Sequence, residues 1–163
     1  MQMEAQELAQ LARLIWGQRW AALGTVTRQD PLASMVAYVP EPDFSGFLMH
    51  LSQLSQHTKN LLANPRASLA ISEPETGTEN PQTLARVSIQ GDVESLPPDA
   101  PGYTEAAETY KLRLPASVPL FDFGDFFLFR LVPREARFVA GFARAYTVSA
   151  AKLREAAATR SIR

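Results

Sequence analysis

The chain has 163 residues, a net charge of −1 and no cysteine. That length builds one domain with a proper core, and the apolar and charged fractions are those of an ordinary soluble globule. A charge near zero argues against nucleic acid or an anionic membrane as partner, and the absent thiols exclude disulfides, Cys-based zinc sites and thiol nucleophiles.

The N-terminus (MQMEAQEL) shows no basic region followed by an apolar run, so no signal peptide is expected and the chain reads as cytoplasmic. No apolar stretch approaches membrane-spanning length. Residues 4–17 read as an amphipathic helix. Leu8, Leu11, Ala12 and Ile15 recur at helical spacing, ready to pack on a sheet edge or a partner subunit, and Gly17 closes the helix. WAALGTVT (20–27) then changes period to that of a strand, and Arg28-Gln29-Asp30-Pro31 marks a turn. Leu32–Val39 and Phe47–Leu51 are the next strands, separated by Pro40-Glu41-Pro42-Asp43. Short strands joined by turns argue for an antiparallel meander and against a βαβ unit.

The stretch from Ser52 to Ser72 reads as a loop, a helix, a stop and a strand. Ser55 has the chemistry of an N-cap, Asn64-Pro65 ends the helix, and Arg66–Ile71 alternates as a strand. Its first turn (Gln56, His57, Thr58, Lys59, Asn60) holds a histidine and a lysine but no carboxylate. A cation at the positive end of a helix dipole costs roughly 0.3–1 kcal/mol. Either an anion sits at this helix start, or Lys59 snorkels into solvent and His57 is a surface residue.

Residues 73–83 are a polar loop. Arg86–Glu94 alternates cleanly, with Gly91 marking a bulge or bend. A proline-rich linker leads into a helix over 102–112, ended by Leu114-Pro115 and Pro119. Phe126–Leu131 is a buried strand within an aromatic run, and Ala136–Phe142 is the last strand. Ser149 caps a final helix over 150–159. These elements suggest a small barrel with peripheral helices.

The two histidines, His50 and His57, lie near no carboxylate cluster, so no metal site is expected. No nucleophile elbow, dinucleotide fingerprint or Walker sequence occurs, so any redox chemistry belongs to a cofactor. His50 is either a half-buried strand histidine with one satisfied nitrogen or a residue at the edge of a bound ring.

The order ASMVAY, FLMHLSQLSQHTKNLLANPRASLAI, ARVSIQG, FGDFFLFRL, GFARAYTV resembles the pyridoxamine-phosphate-oxidase-like, FMN-binding split β-barrels. Within them it is most similar to the haem-utilisation (haem-degrading) branch. The resemblance covers nearly all of Trp20–Val148. It implies a mainly β fold with peripheral helices: a six-stranded split β-barrel spanning 20–148, in a single domain of residues 1–163 with helices at 4–17 and 150–159. It implies a homodimer with a small-molecule ligand between the subunits. The ligand residues it implies are Ser34, Met35 and Val36 along the ring, His50 and Leu51 at a strand end, and Arg86 facing the ring. Ser55, Gln56, His57, Thr58 and Lys59 would sit at the phosphate. Arg144 would pair with a propionate or phosphate, or form a structural ion pair.

Pyridoxamine phosphate oxidases carry arginine where Ser34 stands and an Arg-Lys pair where Gln56 and His57 stand, so that reaction is not implied. The main expectation is an FMN-dependent oxidoreductase of unknown substrate. The alternatives are a haem-binding or haem-degrading protein using the same cleft, and a barrel without cofactor.

Overall fold

The first helix, α1 (Ala5–Gly17), buries Leu11, Ala12, Leu14 and Ile15, with Leu8 packed against the same cluster. The apolar stripe thus faces the chain's own core. We describe a computed structural model covering residues 2–162. The C-terminal end of α1 is held from two directions. The Tyr38 hydroxyl donates to the Ile15 carbonyl (2.7 Å), and the Arg113 guanidinium donates to the carbonyls of Trp16 and Gln18. These are the orphan acceptors that every helix leaves at its end.

Eight strands form one sheet. They are β1 (Trp20–Thr27), β2 (Asp30–Ala37), β3 (Val39–Pro40), β4 (Phe47–Ser52), β5 (Arg66–Ser72), β6 (Arg86–Leu96), β7 (Phe126–Val139) and β8 (Ala145–Ser149). The order is β2-β1-β5-β6-β7-β4-β3, with β8 also paired to β7, and every ladder is antiparallel. The two ends of this path, β2 and β3, are separated only by the fully buried Tyr38. The wall therefore closes through the chain, not through a ladder, which makes it a split barrel. The count exceeds the expected six because the short β3 and the β8 flank are both paired.

Local chemistry explains most boundaries. A tight turn at Arg28-Gln29 joins β1 to β2, with Arg28 at φ 55°, so Asp30 and Pro31 belong to the strand and not to the turn. Pro31 is tolerated because β2 is an end of the sheet path. The expected break between strands at 131 and 136 is overturned: β7 runs unbroken through Pro133. One side of β7 pairs with β4 up to Leu131 and with β8 from Glu135, so Pro133 lies in the gap where its missing N–H costs no ladder bond on that side. On the other side it faces the Gln90/Gly91 bulge, the irregularity expected from Gly91.

Three further helices cover the barrel: α2 (Gln56–Ala63), α3 (Tyr103–Arg113) and α4 (Ala150–Ala158). Ser149 caps α4, its Oγ accepting from the Lys152 N–H at 3.1 Å. Ser55 occupies the N-cap position of α2 but its side chain makes no capping bond, contrary to expectation. The main core fills the barrel between the sheet, α1 and α4. A smaller cluster built on Val39, Leu48, Leu96, Leu128 and Tyr110 lies under α3. Among the described residues no helix is long and apolar enough to cross a membrane.

Candidate functional site

The start of α2 meets β2 at one contact, and the chemistry concentrates there. The Ser34 Oγ lies 3.0 Å from the His57 Nδ1, across 23 residues of sequence. Three buried groups fix how α2 sits. The Thr58 hydroxyl donates to the Ser52 carbonyl (2.6 Å), the Asn60 amide donates to the Thr25 hydroxyl (3.0 Å), and Leu61 enters the core. Gln56 donates to the Asn60 Oδ1 at 2.9 Å. With these positions turned inward, His57 is left half-buried at the rim.

Burial holds the His57 imidazole below its ordinary pKa, which favours the neutral ring. With the proton on Nδ1, the ring donates to the Ser34 Oγ and keeps a free lone pair on Nε2. That is how a second residue orients an imidazole for a metal. No carboxylate bonds His57 among the described residues, so the pair is not two-thirds of a Ser-His-Asp triad.

The other expected ligand residues do not converge on this pair. On β2, Val36 is buried in the core while Met35 is exposed on the outer face, so the three consecutive residues do not line one surface. Leu51 and Thr58 are buried and structural. Gln56 and Lys59 are exposed, and Ser55 is half-buried beside them. Arg86 is exposed on β6, its guanidinium donating to the carbonyls of Gln82 and Leu84 (both 3.0 Å). It shares an outer concavity with Met35, far in register from His57. Arg144 is a structural residue of this chain: it pairs with Glu7 (3.5 Å) and donates to the Ala140 carbonyl (3.0 Å), tying the β7–β8 turn to α1.

His50 belongs to a separate aromatic cluster. Its ring stacks on Phe121 with centroids 3.8 Å apart and planes 6° from parallel, and Tyr110 and Phe126 close the sides. Its Nδ1 is buried without a partner. Burial, reinforced by the nearby Lys111, lowers its pKa to about 4. Phe121 covers one face of this ring. Sequence reading missed Phe121 and Tyr110 as its neighbours, and also the Asn60–Thr25 anchor. Only Asn60 left a trace, as a polar residue on the inward side of an apolar helix.

These elements define a mainly β split barrel with peripheral helices, carrying one oriented, neutral histidine at its rim. The chain belongs to the family described as CREG, beta-barrel, which it matches over residues 3–154. It is similar to the chloroplastic heme oxygenase HOZ of Arabidopsis thaliana, 35% identical over 117 residues, which are 71% of this chain and 34% of that protein. It is 29% identical over 129 residues to the heme oxygenase HutZ of Vibrio cholerae, covering 78% of this chain and 72% of that one. The chain thus spans about a third of the first relative's length. Among solved structures it resembles a heme binding protein from Mycobacterium smegmatis, with a TM-score of 0.80, 26% identity, and coverage of 95% of this chain and 62% of that one. The expected kinship with the split barrels and their haem-utilisation branch holds.

Proposed function

We propose that this chain binds haem, with His57 as the residue that takes the iron. The observation that carries this is the Ser34–His57 pair, on a chain whose relatives are named for haem. The donor set fits the group. His57 is neutral, its Nδ1 is engaged, and its Nε2 is uncommitted, while the exposed Leu54 just before α2 offers apolar surface to a porphyrin. Bound haem would supply an iron centre for an imidazole nitrogen and for redox chemistry. The chain's part is to hold the ring nitrogen, orient the imidazole through Ser34, and keep it unprotonated.

The flavin expectation ranks below this reading. Arg86 spends its Nη1 on the carbonyls of Gln82 and Leu84, far from the start of α2, and Arg144 is turned toward Glu7 and the Ala140 carbonyl, so neither is placed beside the helix start where the phosphate was expected.

Titration with hemin, followed by its Soret band, tests the proposal. His57→Ala should abolish the coordinated spectrum and His50→Ala should leave it intact. Ser34→Ala should weaken binding about tenfold with little change in Tm, the usual scale for a residue behind a metal ligand. Unchanged coordination in His57→Ala would remove the proposal.

A further inference from the structure

Ala9, Ala12, Arg13 and Trp16 recur at i, i+3, i+4 and i+7, so they share one face of α1. This face flanks the core stripe and turns toward the end of α4, where the chain continues as a 3-10 turn (Thr159–Ile162). Between the two lies an open concavity of about 520 Å³, with Thr159 and Arg160 on its far wall. That is the size of a small-molecule site. Its lining shares no residue with the rim around His57.

The lining defines what the concavity can take. The methyl groups of Ala9 and Ala12 and the indole of Trp16 give an apolar surface. The charged groups of the lining are two arginines, Arg13 and Arg160, and no carboxylate stands among them. Among the described residues neither arginine enters an ion pair. The Arg160 guanidinium lies instead over the Trp16 ring, 4.3 Å from its centroid. A ring face holds a guanidinium less firmly than a carboxylate does. The carbonyls at the end of α1 would oppose an anion here, but Arg113 donates to those of Trp16 and Gln18 and offsets them. The Trp16 Nε1 is buried with no acceptor among the described residues, an unmet donor on the one aromatic side chain of the lining.

We infer that this concavity binds a small aromatic carboxylate, its ring on the surface of Ala9, Ala12 and Trp16 and its carboxylate held by Arg13 and Arg160. The carboxylate accepts from Arg160, which exchanges an indole face for an ion pair. A neutral aromatic molecule lacks the charge that the two arginines call for, and an aliphatic acid lacks the flat apolar body that the indole and the alanines accept.

The test is a titration of the haem-free chain with 2-naphthoate, followed by the indole N–H resonances in nitrogen-proton correlation spectra. The chain has two tryptophans, and Trp20→Phe assigns the Trp16 signal. That signal should shift saturably with 2-naphthoate, and the neutral 2-naphthamide should bind about tenfold more weakly. Arg13→Gln and Arg160→Gln, both changes of exposed side chains, should each weaken 2-naphthoate by about tenfold. Arg154→Gln, an exposed arginine of α4 outside the lining, should leave the affinity unmoved. Native circular dichroism checks each variant. No saturable shift of the Trp16 signal, equal affinity for 2-naphthamide, or an equal loss in Arg154→Gln would each overturn the inference. Because no haem is present, any of these results leaves the haem proposal standing.

Discussion

His50 and His57 are both kept neutral by burial, and they differ in what that neutrality serves. At His57 it leaves a nitrogen free at the rim. At His50 it only preserves packing, because the unpartnered Nδ1 lies beneath Phe121. A histidine whose folded pKa is depressed stays neutral in the native state while the unfolded chain takes up a proton below about pH 6.5. Its contribution to stability is therefore complete above about pH 6.5 and drains away as the pH falls to about 4, the folded value for His50. His50→Leu should flatten that limb of the urea-unfolding profile and cost little at pH 7, since it replaces an unsatisfied polar atom with an apolar one. A steeper acid limb in the variant would show that His50 is not the source. Gly91 makes a sharper case. A Cβ there would sit 2.1 Å from the Val132 carbonyl oxygen, which is backbone and cannot step aside. Gly91→Ala should lower stability by about 3 kcal/mol, read as a fall in the urea midpoint at unchanged slope.

Among the elements, α1 depends on a residue far along the chain. Arg113, at the end of α3, donates to the carbonyls of Trp16 and Gln18, where α1 has no basic residue of its own in its last turn. Arg113→Ala should cost roughly 1–3 kcal/mol and selectively speed amide exchange in the last turn of α1. No pattern in the sequence announces that contact, because it spans 97 residues. What the sequence did disclose was local. The alternation in β5 and β6, the stop at Asn64-Pro65, the bulge at Gly91 and the cap at Ser149 all depend on neighbours a few residues away. The failures depend on distant ones. The chain read as two strands, Phe126–Leu131 and Ala136–Phe142, whereas the change of partner from β4 to β8 that carries one strand through Pro133 is tertiary. Ser34 and His57 were both marked as ligand residues, but their mutual bond was invisible until β2 and α2 were placed side by side. Arg86 read as a ligand residue and Arg144 as either a ligand residue or half of a structural ion pair, because their acceptors, carbonyls of a loop and a carboxylate on α1, follow no spacing rule.

At the scale of the whole molecule, the chain divides its labour between the inside and the outside of one wall. The interior and the cluster under α3 are apolar and closed. The rim holds the histidine proposed to take the iron, and the outer face holds the open concavity between Trp20 and Val139. Rim and outer face lie on opposite sides of β2, where Ser34 and Met35 point apart. β2 is also half of the seam described earlier. It and β3 are the two free margins of the barrel, and they are one thread turning at Tyr38, whose hydroxyl is tied to Ile15. No ladder spans that seam, so parting its lips breaks no strand pairing and is resisted by packing and by two bonds of Tyr38, its hydroxyl on the Ile15 carbonyl and its N–H on the Arg19 carbonyl. The least-bonded line of the wall thus runs along β2, beside the rim histidine.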